Sequence, residues 1–176
     1  IATRKTPPGA TPRGKRRMKI LYLSYTGLLE PLGQSQVVAY LEHLCRDYAI
    51  HLISFEKGHD RADEARIAAM RSRLAASGIG WHPLAYHKRP TVAATAYDVF
   101  AGTLVALWLT LRHRARIIHV RSYVPALMGL AVKRLTRAKL LFDIRGFWAD
   151  ERVEGGIWPP NSRLYRIAKF LERRLF

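Results

Sequence analysis

Five short apolar runs, at 20–23, 50–55, 79–84, 117–120 and 140–144, recur with helix-period segments between them, and this alternation limits the fold more than any other feature. Ile20-Leu21-Tyr22-Leu23 shows no polar alternation, the pattern of a strand covered on both faces. Between the runs, Val37, Tyr40, Leu41 and Leu44 recur at i, i+3, i+4 and i+7, the spacing of one helix face. Residues 60–76 read as a charged amphipathic helix, 92–111 as a long apolar one, 125–135 as a helix with Pro125 in its first turn, and 163–175 as a last helix. Strand and helix in strict alternation predict an α/β fold, a doubly wound parallel sheet with helices on both faces and the fifth run as another buried strand.

With 176 residues and 49% hydrophobic positions, one packed domain is the expectation. Residues 1–17 are rich in Pro, Gly, Thr and basic residues and have nothing to bury, so they read as a disordered leader. The domain is expected over 18–160, with 161–176 starting a connecting helix. The leader's Arg4, Lys5, Arg13, Lys15, Arg16 and Arg17 account for +6 of the +17 formal charge and leave +11 for the rest. Such charge attracts nucleic acid, anionic headgroups and phosphorylated substrates alike. Arg16-Arg17 before an apolar run imitates a secretion signal, but Tyr25, Thr26 and Gly27 follow too soon and no small-residue cleavage site is evident. The lone Cys45 cannot form an internal disulfide or a zinc or redox motif, which fits a reducing, cytoplasmic setting. Segment 92–111, with Asp98 as its one charge, is long enough to cross a membrane, yet its place between two strands favours a buried or membrane-leaning helix.

In a doubly wound sheet ligands sit at the carboxyl ends of the strands. The loop after the first strand ends in Gly33 and Gln34 at a helix start, where free N–H groups suit a diphosphate, although glycine there also serves as a plain turn residue. After the fourth strand come Arg121, Ser122 and Tyr123, either a cation and a hydroxyl for a polar ligand or a surface Arg and a helix cap. His119 lies inside that strand and reads as a core group. At the end of the fifth strand Asp143 and Arg145 are two apart, on one face, where opposite charges need pairing or a ligand.

The Met18-to-Gly33 opening, Ile118-His119-Val120-Arg121-Ser122-Tyr123, and above all Phe142-Asp143-Ile144-Arg145-Gly146-Phe147-Trp148-Ala149-Asp150-Glu151-Arg152 resemble the N-terminal domain of glycosyltransferase family 4. The resemblance implies the N-terminal, acceptor-side half of a GT-B enzyme built from two Rossmann-like domains. It implies retaining, metal-independent transfer from a nucleotide-diphosphate sugar to a glycan or lipid-linked acceptor, with no cofactor and no metal site. Gly33 and Gln34 match the donor diphosphate loop. Asp143 and Arg145 fall at the reacting end, Arg145 standing where the family often has histidine, and Arg121, Ser122, Tyr123, Trp148, Asp150 and Glu151 fall on the acceptor side. The family's glutamate signature lies in a C-terminal domain, so this half alone is expected not to turn over. The closing Arg163, Arg166, Lys169, Arg173 and Arg174 against Glu172 make a basic helix suited to a second domain or to peripheral contact with an anionic membrane.

A basic nucleic-acid- or membrane-surface-binding module without catalysis is the alternative reading. Specific nucleic-acid binding finds support only in charge, because the aromatics lie in apolar runs and are not interleaved with Arg and Lys. His43, His51, His59, His82, His87, His113 and His119 show no metallohydrolase spacing, and no GxGxxG supports a dehydrogenase.

Overall fold

The computed structural model describes residues 17–144, 146, 148–156, 159 and 162–175. Residues 1–16 of the leader and the reacting-end candidate Arg145 lie outside the described residues. Five strands, β1 (Met18–Ser24), β2 (Tyr48–Glu56), β3 (Gly80–Ala85), β4 (Ile117–Arg121) and β5 (Lys139–Asp143), form one parallel sheet in the order β3-β2-β1-β4-β5. This is the Rossmann-like order, with the direction of winding reversing between β1 and β4.

The helices are α1 (Ala39–Leu44), preceded by a π-helical turn at Gly33–Val38, then α2 (Gly58–Ala62), α3 (Glu64–Ala76), α4 (Thr91–His113), α5 (Tyr123–Leu135), α6 (Trp148–Glu154) and α7 (Arg163–Leu175). One core joins Tyr22, Ile50 and Leu52 to Val37, Leu41, Met70 and Leu74 of α1, its π-helical lead-in and α3. The other joins Leu21, Leu23, Ile53 and Ile118 to Ala106 and Leu109 of α4 and Met128 and Val132 of α5. Alternate strand residues thus feed opposite layers, as the pleat requires.

The structure departs from the sequence expectations in four places. The helix expected over 60–76 is two, because Asp63 leaves helical geometry and its carboxylate caps the Arg66 N–H at 3.0 Å. The helix expected from Val37 begins at Gly33 in the wider π form. α6 carries no strong apolar period and was not anticipated. The fifth strand, expected to be buried, is a half-covered edge with Leu141 50% exposed, because it is the outermost strand of the sheet and, among the described helices, α5 is the one packed chiefly on it.

The segment at 92–111 becomes α4, and its burial is one-sided. Ala94, Asp98, Gly102, Ala106 and Leu109 face the protein. Asp98 is tolerated inside because it accepts from Tyr25 Oη at 2.8 Å and His87 N–H at 3.1 Å, with His87 Nδ1 at 2.6 Å.

Where α4 ends, three imidazoles meet. His51 of β2 stacks on His113 with ring centroids 3.6 Å apart, and its Nδ1 lies 3.4 Å from His82 Nε2 of β3. Burial first, then His113, His82 and Lys19, push the His51 pKa down to about 4. The unfolded chain takes up a proton near the ordinary histidine value of about 6.5, which folded His51 refuses until about 4, so stability falls as pH drops through that window. From pH 6.5 to 5 the His51 contribution is about 2 kcal/mol. Glu56, whose carboxyl is raised by burial, acts with the opposite sign in acid. Urea unfolding of wild type and His51→Gln at both pH values isolates the histidine. The wild type is expected to lose about 2 kcal/mol more than the variant, and equal losses would show that His51 titrates freely.

Candidate functional site

At the carboxyl ends of β1 and β4, where the winding reverses, lies an open cleft of about 330 Å³ lined, among the described residues, by Tyr25, Thr26, Arg121, Ser122 and Glu151. β1 delivers Tyr25 and Thr26, the last pair of β1 and β4 sets Ser24 beside Arg121, and α6 brings Glu151.

Arg121 is the fixed cation of this cleft. It is 9% exposed, its guanidinium donates to the Gln36 backbone oxygen at 3.4 Å and to Gln36 Oε1, and it reaches Asp143 Oδ2 at 3.5 Å. Its Nε is buried without a hydrogen-bond partner. The π-helical turn after Gly33 places Gln36 over the strand ends, a use of that wider turn often met at functional sites. Below the pair, His119 packs edge-on against Tyr22 at 4.6 Å and Tyr40 at 5.9 Å. Burial lowers the His119 pKa, with Asp143 opposing and Arg121 assisting, so the ring is neutral. The same burial raises Tyr22, against the lowering influence of Arg121.

Ser122 has φ 75 and ψ 172, a region open in practice to glycine alone. It holds the N-cap position of α5, yet its hydroxyl makes no capping bond, so helix capping does not account for a serine there. Its N–H donates to the Asp143 backbone oxygen at 3.0 Å, which ties the ends of β4 and β5 together. Holding a serine side chain there, beside the buried Arg121, costs about 1–3 kcal/mol of backbone strain.

Of the residues singled out in the sequence, Arg121, Ser122 and Glu151 converge on the cleft. Asp143 stands behind them as the carboxylate facing Arg121. Tyr123 donates to the Gly146 backbone oxygen at 3.0 Å. Trp148 opens α6. Asp150 points to α7, accepting from Tyr165 Oη at 2.9 Å and Lys169 Nζ at 2.8 Å; these partners lower its pKa, Lys169 first. Gly33 and Gln34 do not line the cleft: Gly33 is pressed on the Gly27–Leu28 backbone, and Gln34 Nε2 donates to the Leu29 oxygen at 3.3 Å. Tyr25, Thr26 and Gln36 were missed in the sequence. The one local sign, for Tyr25 and Thr26, was a polar-tipped pair just after Ser24 at the end of the first apolar run. Among the described residues no group of three or more His, Cys, Asp or Glu could hold a metal ion.

No protein-family model matches the chain, and no curated protein matches it. Among solved structures it is similar to a glycosyltransferase from Rickettsia africae ESF-5, at 12% identity and TM-score 0.49 over 78% of this chain and 34% of that one. It is also similar to a ferredoxin-NADP+ reductase from Plasmodium falciparum, at 9% identity and TM-score 0.43 over 71% and 53%. A third similarity is to the N-terminal domain of a Candida albicans trehalose-6-phosphate phosphatase, at 17% identity and TM-score 0.42 over 77% and 36%. The chain spans about a third of the first and third and about half of the second. At such identities and TM-scores the fold assignment rests on the strand order itself.

Proposed function

We propose that this chain is the acceptor-side, N-terminal half of a family 4 type GT-B glycosyltransferase, passing a sugar from a nucleotide-diphosphate sugar to a glycan or lipid-linked acceptor with retention and without a metal. The carrying observation is the buried, doubly anchored Arg121 at the β1/β4 crevice, next to the strained Ser122. A guanidinium fixed before the ligand arrives meets an anionic or hydroxyl-rich group without reorganisation. The resemblance of residues 142–152 to the family supports the same reading. In it, the first loop, which the packing of Gly33 and the hydrogen bond of Gln34 hold in shape, closes on the donor diphosphate, Asp143 and Arg145 stand at the reacting end, and Arg121, Ser122, Tyr123, Trp148, Asp150 and Glu151 bound the acceptor. The enzyme would work in the cytoplasm, at the inner face of the membrane.

Ser122→Gly separates function from folding. Relief of the backbone strain is expected to stabilise the domain by about 1 kcal/mol. In the gene product that includes the sugar-nucleotide half, loss of the hydroxyl is expected to lower kcat/KM about tenfold. Transfer is read by product mass over a panel of nucleotide-diphosphate sugars. Unchanged kinetics would remove Ser122 from the site, and transfer from no donor in the panel would overturn the enzyme reading.

A further inference from the structure

On the side of α4 away from the protein, Tyr97, Phe100, Leu104, Trp108 and Leu111 follow one another at steps of three and four residues and are 51–64% exposed. Such a contiguous line of large apolar side chains is far more than the scattered apolar surface of an ordinary domain. The opposite face, with Ala94, Gly102 and Ala106, is pressed on the protein; a Cβ on Gly102 would come within 2.8 Å of Met128 and Phe55. α4 is long and apolar enough to cross a membrane, but its attachment along the sheet and α5 leaves one face available, and one face suits lying in an interface.

The charge around this stripe selects its occupant. Between Tyr86 and Phe142 the chain has ten Lys and Arg and a single acid, Asp98, which is buried. Lys88 and Arg89 precede α4, and Arg112, Arg114 and Arg116 follow its apolar stripe. At the same end a groove of about 780 Å³ runs from Leu111 between Arg114, Arg116, Arg137 and Lys139. Among the described residues none of these four cations has a carboxylate partner, and no acid lines the groove. A second copy of this chain would bring the same cations against themselves, which is unfavourable at a self-complementary interface.

We propose that the outer face of α4 is a membrane-docking surface. The aromatic stripe lies in the headgroup region of an anionic bilayer, and Arg114, Arg116, Arg137 and Lys139 hold lipid phosphates in the groove beside it. Tyr and Trp suit this depth, each having an apolar body and a polar tip. The cations add attraction that depends on anionic lipid and weakens with salt. Docking follows from this surface alone and holds whether or not the cleft transfers a sugar. It would also couple to the cleft, because the inward Asp98 of the same helix holds Tyr25 at the cleft wall.

The test is co-sedimentation of the full chain with phosphatidylcholine vesicles, with or without about one third phosphatidylglycerol. Binding to the anionic vesicles alone is expected, reduced as salt rises. Phe100→Ser/Trp108→Ser keeps every charge, including the leader's six, and alters two exposed positions. It is expected to lower partition about a hundredfold with the unfolding midpoint unchanged. Binding unaffected by the double variant would assign it to charge alone and overturn the proposal, as would absence of binding. Dimerisation of the wild type that the double variant abolishes would show that a second copy covers the stripe, and would overturn it too.

Discussion

Gly33→Ala is expected to lower the unfolding midpoint of this domain by about 10 °C, the equivalent of about 3 kcal/mol or more for a chain of this size. A Cβ at Gly33 would run into the Gly27 backbone oxygen and stand 2.8 Å from Leu28 Cα and 2.9 Å from the Gly27 carbonyl carbon. All three neighbours are backbone, so no side chain can swing away to make room. The loop between β1 and the π-helical turn must open, and with it go the burial of Leu28 and Leu29 and the position of Gln36 over Arg121. Thermal unfolding of the purified variant measures this. A shift below about 2 °C would mean that the two backbone segments part at little cost.

The second large effect lies under the same loop. Glu56, wholly buried at the end of β2, accepts from Ser54 Oγ at 2.7 Å and Leu28 N–H at 2.9 Å, and Ser54 Oγ accepts in turn from Trp81 Nε1 at 2.7 Å. Glu56→Ala leaves a buried N–H and a hydroxyl without their acceptor and opens a cavity, for an expected loss of about 3 kcal/mol. Glu56→Gln keeps an oxygen for both donors and is expected to cost about 1 kcal/mol. Burial holds the carboxyl above the usual range, which brings the native group closer to the neutral amide that replaces it. Urea midpoints of the two variants decide the matter. Equal losses would show that volume, and not the acceptor oxygen, is what the site needs.

Both positions explain why the site was only partly legible in the sequence. Gly33 carried the mark of a ligand loop because glycine at a helix start serves both anion binding and close packing, and these uses look alike along a sequence. The structure shows the second in atomic detail. Glu56 closes an apolar run and reads as the polar end of a strand; only the packing of the first loop over β2 turns it into a buried acceptor. Asp150 has the same ambiguity, and its two partners on α7 come from 15 and 19 residues away.

The sequence by itself determined the five strands and the long helices between them, since five apolar runs and intervening helical periods admit little but a parallel α/β sheet, and hydrophobic period acts locally; the break at Asp63, the π-helical turn and α6 carry no such period. It also determined that Arg121 and Ser122 stand at a strand end. The tertiary structure alone decided which strand ends meet. Placing β1 beside β4 is a matter of pairings some 97 residues apart, such as Ile20 with Ile117, and only that neighbourhood gathers Tyr25, Thr26 and Arg121 around one crevice. It alone decided, too, which side of α4 is covered. That helix is apolar nearly all the way round, so its own period cannot choose a face, and the choice falls to small residues at Ala94, Gly102 and Ala106 that let the sheet and α5 approach.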